Sequence, residues 1–323
     1  APNTQNTQHT QHTQHTQNTQ NTQYTQNTQY TQNTQHTPHS NSDSLPKGVS
    51  GDWLNSLTDE TGNRIIQEED PEGDALQQNT FDGVVAGDEY GRSVSSAGDV
   101  NGDGFDDVII GAPKNNAGGI LSGRAYIFFG GTVINNSVDV ILTGGAVNNY
   151  LGSSVSSAGD VNGDGYDDVI VGAYGYNSFT GRAYIYFGGA SMNSVADVIM
   201  TGEFTGHNFG SSVSGAGDVN ADGYSDVIVG AYGSNSNTGK AYVFYGGASM
   251  NNIADVTMTG ETSQSYFGSS VSGAGDVNGD GYQDVICGAY GYNSDFGKAY
   301  IYFGSVTMDN VADVSMLGGA FLD

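Results

Sequence analysis

Four loops in this chain carry oxygen ligands at one repeated spacing. Counted from Asp99 as position one, carboxylates fall at positions 1, 5 and 9 (Asp99, Asp103, Asp107), an amide oxygen at 3 (Asn101) and the main-chain carbonyl of Phe105 at 7. The set recurs as Asp160, Asn162, Asp164, Tyr166 and Asp168, then as Asp218, Asn220, Asp222, Tyr224 and Asp226, and finally as Asp276, Asn278, Asp280, Tyr282 and Asp284. Hard oxygens at alternate positions, with Gly104 and its equivalents at position 6 for a sharp turn, suit Ca²⁺, which takes six to eight oxygen ligands. The plain alternative is an Asp/Asn/Gly turn that holds no ion. One copy would leave that alternative standing; four copies in register favour about four Ca²⁺, one per loop. Without a cation, three carboxylates facing one point repel each other, so an empty loop should be loose. An EF-hand needs Glu at position 12, where Ile110, Val171, Val229 and Cys287 stand. A dockerin loop leads into a helix, whereas β-branched residues follow here. Position 4 is Gly102, Gly163 and Gly279 but Ala221 in the third copy. If that position needs positive φ, the third loop is strained by about 1 kcal/mol.

The elements that position these loops repeat with them, at spacings of 61, 58 and 58 residues. Each copy opens on a short Ser/Val segment (Ser93-Val94, Ser154-Val155, Ser212-Val213, Ser270-Val271) ahead of the loop. A buried-looking run follows it (Val108 to Ile110, Val169 to Val171, Val227 to Val229, Val285 to Cys287). A Gly-rich turn leads to [Arg/Lys]-Ala-Tyr, and the copy closes on Asp-Val-x-[Leu/Met]. That is four β segments per repeat, rich in Val, Ile, Tyr and Phe, with turn residues between them and no helical period. Four short strands repeated radially describe an all-β, propeller-like array of four blades. The 50 glycines punctuate its turns, and they do not fall at every third residue as collagen requires.

Charge and composition exclude several functions. The 323 residues hold 35 Asp and Glu against 8 Lys and Arg, a net −27. Such a chain repels phosphate backbones and anionic membrane surfaces, which argues against nucleic-acid binding and membrane docking. No apolar run approaches the 18 or so residues of a membrane span. Cys287 is the one cysteine, so no internal disulfide or multi-Cys metal site is available. The repeats offer one histidine, His207, and no evident nucleophile–base pair, so catalysis is not expected. Arg124, Arg182, Lys240 and Lys298 precede Ala-Tyr in register, and pairing with the neighbouring acidic loops is expected of them. Asn135-Asn136-Ser137 is an N-glycosylation sequon.

Three segments emerge: an arm over 1–40, an acidic linker over 41–79 and the repeats over 80–323. From Asn3 to Gln35 the arm is a run of [Asn/His/Tyr]-Thr-Gln triplets. It lacks the apolar surface to offset ordering entropy, so an extended chain is expected. A polyproline-II helix has three residues per turn and would align Thr4, Thr7, Thr10, Thr13, Thr16, Thr19, Thr22, Thr25, Thr28, Thr31, Thr34 and Thr37 in one column. That column suits O-glycosylation. Five of the six histidines (His9, His12, His15, His36, His39) lie in this arm, and at the triplet position His alternates with Asn and Tyr, which favours interchangeable residues over a metal tract. In the linker, 57–66 reads as a hairpin around Thr61-Gly62-Asn63, and Trp53 as a docking anchor.

The segment from Phe267-Gly268 through Asp276-Val-Asn-Gly-Asp280 to Gly288-Ala289 resembles the FG-GAP repeat of integrin α-subunit propellers and of many bacterial surface proteins. Phe209-Gly210 matches its first half, with Tyr90-Gly91 and Leu151-Gly152 as variants; Gly111-Ala112-Pro113 matches the second half in full. The resemblance covers about 81–317. It implies a propeller with Ca²⁺ between the first two strands of each blade, and family functions that span adhesion and carbohydrate binding. Family propellers usually hold seven blades. Here there are four, plus a spare fourth-strand-like segment over 80–86.

Three arrangements follow: four blades closing alone, two chains making one larger ring, or an open array whose edges meet copies of itself. The leading expectation is a secreted, calcium-binding structural protein that assembles into an extracellular fibre or matrix through its arm and spare strand. The alternative is a cell-surface adhesion or glycan-binding module that uses loop tyrosines such as Tyr174, Tyr176, Tyr232, Tyr290 and Tyr292. For these tyrosines, blade-to-blade packing is an equally good reading. An extracellular location follows because weak, many-oxygen Ca²⁺ loops fill readily outside cells. The start at Ala1 fits a removed signal peptide.

Overall fold

The computed structural model describes residues 80–319, apart from 82, 84 and 134. The arm with its Thr column, the linker hairpin and Trp53 lie outside the described residues. What is described is all β, in four antiparallel four-stranded sheets, each in chain order. The first holds β1 (Ser93–Gly98), β2 (Asp107–Ala112), β3 (Arg124–Phe128) and β4 (Val140–Thr143). The second holds β5 (Ser154–Gly159), β6 (Asp168–Ala173), β7 (Arg182–Tyr186) and β8 (Val198–Thr201). The third holds β9 (Ser212–Gly217), β10 (Asp226–Ala231), β11 (Lys240–Phe244) and β12 (Val256–Thr259). The fourth holds β13 (Phe267–Gly275), β14 (Asp284–Ala289), β15 (Lys298–Tyr302) and β16 (Val314–Leu317).

Strand patterning follows from where each strand lies in the stack. In β6 and β10 every residue is buried, because both sheet faces meet a neighbouring sheet. The outer strands β4 and β8 alternate buried and exposed residues along Val-Ile-Leu-Thr and Val-Ile-Met-Thr, since only one face is covered. Three apolar cores lie between successive sheets. Ile109, Ile127 and Leu142 of the first pack on Val155, Val169, Val171 and Tyr184 of the second. Ile170, Ile185 and Met200 meet Val213, Val227 and Val229 in the same way, and Ile228, Val243 and Met258 meet Val271, Val285 and Cys287. Each fully buried Ile or Val side chain contributes roughly 1.5–3 kcal/mol.

The two halves of the repeat's Gly signature meet across these joints. A Cβ on Gly172, from the Gly-Ala half, would lie 2.1 Å from the carbonyl oxygen of Gly210, from the Phe-Gly half of the next sheet. Glycine is needed there because one backbone rests directly on another.

Each inner strand ends in a register shift at Gly98, Gly159, Gly217 or Gly275, all with φ of 70–75°. Such a bulge bends the chain out of the sheet and into the Asp loop. All four Asp loops, each between the first and second strands of its sheet, therefore share one rim, and the turns between the second and third strands share the opposite rim. The spare segment forms no strand at its described positions; instead Phe81 lays its ring on Phe128, with centroids 4.5 Å apart. Among the described residues no helix is long and apolar enough to cross a membrane.

Candidate metal centre

Within each loop the position-1 carboxylate organises the turn. Asp99 Oδ1 accepts the amides of Gly102 (2.8 Å) and Asp103 (3.0 Å), and Oδ2 accepts that of Gly104 (2.8 Å). Asn101 Oδ1 accepts the Asp103 amide at 2.8 Å, while its Nδ2 donates to Asp103 Oδ2 at 2.9 Å. Asp160 and Asp276 gather the same three amides around them. Positions 1, 3 and 5 are thus tied together by the backbone turning around them. The φ of +57° at Ala221 shows that position 4 is left-handed, so the third loop does carry the strain expected of a Cβ there.

Position 9 begins the second strand and is buried in all four loops. Asp168 Oδ2 accepts the amide of Val161 (2.9 Å), and Oδ1 that of Gly188 (2.8 Å) beyond the third strand. Asp107, Asp226 and Asp284 make the equivalent pairs. Burial pushes Asp168 and Asp226 up to about 7 against the pull of those amides, and the carboxylates at positions 1 and 5 raise them further. Asp107 is raised for the same reasons.

Among the described residues, no three acidic, His or Cys side chains converge as a ready-made cluster. The donor set nevertheless fits a hard cation. It is all oxygen, each carboxylate retains lone pairs beyond its amide contacts, and Asp107, Asp168 and Asp226 are penalised for their charge in a way that a cation would relieve. Asp99, Asn101, Asp103, the Phe105 carbonyl and Asp107 would hold the ion, as would their equivalents in the other loops. A bound cation supplies charge neutralisation and a cross-link between the two ends of the loop.

The basic residues do not pair with these loops. Arg124 and Arg182 donate Nε to Thr143 and Thr201 on the neighbouring outer strand. Lys240 Nζ meets Glu203 at 2.9 Å and Lys298 Nζ meets Glu261 at 2.5 Å, each Glu following the fourth strand of the preceding sheet. The Lys298 hydrogen bond holds Glu261 below the usual carboxylate range. These partners replace the expected acidic loops because the starts of β3, β7, β11 and β15 lie on the opposite rim.

That opposite rim carries a second feature. Tyr174 stacks on Tyr150 (5.2 Å, 16°) and Tyr290 on Tyr266 (4.8 Å, 5°), while Tyr176 lies under the Arg182 guanidinium at 3.6 Å. Tyr292 lies 4.9 Å from Lys298 Nζ. Three left-handed turns present this rim: Asn177 to Phe179, Asn235 to Asn237 and Asn293 to Asp295, all at φ of 47–70°. Glu89, Arg92, Lys114, Tyr150, Tyr174 and Tyr232 line a cavity of about 250 Å³ where three successive sheets converge. Of these, Tyr174 and Tyr232 stand out in the sequence as loop tyrosines, whereas Arg92, Lys114 and Tyr150 do not. Arg92 and Lys114 break the register of the repeat, and that break was the available signal.

The FG-GAP repeat family matches residues 90–128, 151–186, 209–244 and 267–302, one match per sheet. The chain is 34% identical to integrin alpha-6 of Gallus gallus over 141 residues, which is 43% of this chain and 13% of that protein. It is 35% identical to integrin alpha-5 of Xenopus laevis over 114 residues, 33% of this chain and 11% of that one. With integrin alpha-IIb of Mus musculus the identity is 37% over 136 residues, 39% and 13% of the two chains. The matched region thus spans 11–13% of the length of these relatives.

Proposed function

The chain belongs to the FG-GAP repeat family, and from that premise we propose that it is a secreted or cell-surface adhesion module whose blades are held by Ca²⁺ in the four Asp loops. The observation that carries the adhesion reading is the cavity at Arg92, Lys114, Tyr150, Tyr174 and Tyr232. In a chain of net −27 it gathers two of the eight basic residues beside stacked aromatic rings. Tyrosine faces suit sugar rings, and the guanidinium suits a carboxylate on a glycan or an extracellular protein. The Ca²⁺ loops on the other rim keep the blades rigid enough to hold these side chains in place.

The reading is non-catalytic. Cys287 is fully buried and its thiol is pushed up by that burial, while His207 is buried against Phe204. The Thr residues of the arm's triplets are proposed to carry O-linked glycans.

The test is a glycan and matrix-protein array probed in millimolar calcium. Saturable binding that is lost in Tyr174→Ala and Arg92→Ala, with folding intact, supports the reading. Binding to neither class, or binding indifferent to both substitutions, would sink it.

A further inference from the structure

The three joints between successive sheets repeat one set of contacts, and the two ends of the stack carry the unmatched halves of that set. On the trailing side of each joint a loop glycine receives a side chain from the next sheet. A Cβ on Gly98 would collide with Asp167, one on Gly159 with Ser225, and one on Gly217 with Gln283. At the fourth sheet the equivalent Gly275 meets nothing within 4 Å, and neither does Gly279, although Gly102 and Gly163 each receive a tyrosine. The joint glycines behave alike. Gly111, Gly172 and Gly230 lie under the backbone of the following sheet, whereas Gly288 meets only its own Ser270.

The leading side tells the same story in reverse. Gly152, Gly210 and Gly268 each press on the preceding sheet, while Gly91 meets nothing within 4 Å. The amides of Asp167, Ser225 and Gln283 donate across the joints to the carbonyls of Asp99, Asp160 and Asp218. The fourth sheet's equivalent acceptor is Asp276, and the first sheet's equivalent donor is Asp106. Exposure follows suit. Val155, Val213 and Val271 are 5–6% exposed, but Val94 in the first sheet is 66% exposed. Val100, Val161 and Val219 are fully buried, but Val277 is 50% exposed, and Met316 is 44% exposed where Met200 and Met258 are fully buried.

We infer that the trailing face of the fourth sheet docks on the leading face of the first sheet of a second copy of this chain, head to tail. The occupant is fixed by continuity with the three internal joints. Every group left open at one end has its partner type at the other: Gly275 for Asp106, Gly279 for Phe105, Gly288 for Gly91, and the Asp276 carbonyl for the Asp106 amide. An isologous contact would instead set two trailing faces or two leading faces together and match none of these pairs.

One internal group competes for the joint. Phe81 aligns with Leu142, Met200, Met258 and Met316, and on Phe128 it holds the place those residues hold at the internal joints. Docking therefore replaces Phe81 with Met316 of the incoming copy. None of this depends on the adhesion reading, since no group named here lines the rim cavity.

The test uses the full chain in millimolar calcium, followed by sedimentation velocity across a concentration series. Val94→Asp blocks the leading face and Val277→Arg the trailing face; both sites are exposed, so circular dichroism should be unchanged. The wild type is expected to associate, each variant alone to stay monomeric, and the mixture to form a 1:1 dimer and stop there. Phe81→Ala is expected to lower the wild-type dissociation constant about tenfold. A monomeric wild type, a variant that dimerises alone, or a mixture that fails to pair would overturn the head-to-tail joint. An unchanged or weaker association in Phe81→Ala would overturn the place given to Met316.

Discussion

Asp164 and Asp168 are both carboxylates of the second loop, yet they do different work. Asp164 is exposed and holds only the Tyr166 amide and the Asn162 side chain. Asp168 is buried and holds the amides of Val161 and Gly188. Asp164→Ala should remove one calcium equivalent from the chain while costing about 1 kcal/mol without the metal. Asp168→Ala should remove the same equivalent and also destabilise the chelated protein by roughly 1–3 kcal/mol per orphaned amide. Calcium stoichiometry and urea midpoints in a chelator separate the two. Ala221→Gly relieves a left-handed alanine and should raise stability by up to about 1 kcal/mol, read from the same midpoints.

Burial holds His207 below its ordinary value of 6.5, with Lys240 acting in the same direction against Glu203. Its folded form takes up a proton less readily than its unfolded form, so its stability contribution is complete above 6.5 and falls as pH drops below that value. His207→Gln should flatten that part of the acid limb, seen as a smaller loss of urea midpoint between pH 7.5 and 5.5 than in the wild type. The turn of the Asp loops and the left-handed backbone at Ala221 were legible in the sequence because both depend on position within one short loop. Burial of His207 was not, since it depends on packing beyond that residue's own stretch of chain.

Among elements, the joint glycines give the sharpest contrast. Gly172→Ala would drive a methyl into the Gly210 carbonyl, a rigid backbone atom, and should cost several kcal/mol by forcing two sheets apart. Gly288→Ala occupies the same place in the fourth sheet, where nothing beyond Ser270 lies near, and should cost less than about 1 kcal/mol. Thermal melts at low protein concentration check both. Strand order was legible because each segment had its own composition and turn residues. Two features were not. The left-handed turns over 177–179 and 293–295 come from Asn-Ser pairs that also suit ordinary turns. The ion pairs of Lys240 and Lys298 join residues 37 apart, across a joint that exists only once two sheets have stacked.

At the scale of the molecule, the acidity that argues against nucleic-acid binding is concentrated in the loops. Twelve of the 35 acids are the proposed ligands, three in each of four loops, and four Ca²⁺ would bring the net charge from −27 to −19. The repulsion within each loop then turns into a cross-link, so calcium should stiffen all four blades together. The repeat count and the loops could be read from the chain, but the two open faces could not. Val94 and Val277 carry the same side chain as their buried equivalents, and only their places at the ends of the stack expose them.

Native mass spectrometry of the full chain titrated with calcium measures whether every blade holds one calcium ion. Four equivalents should bind, with Tm rising as they do and falling again on chelation. A chain that binds no calcium at millimolar concentration, or melts identically with calcium and with chelator, would rule out calcium as the clasp of the four loops.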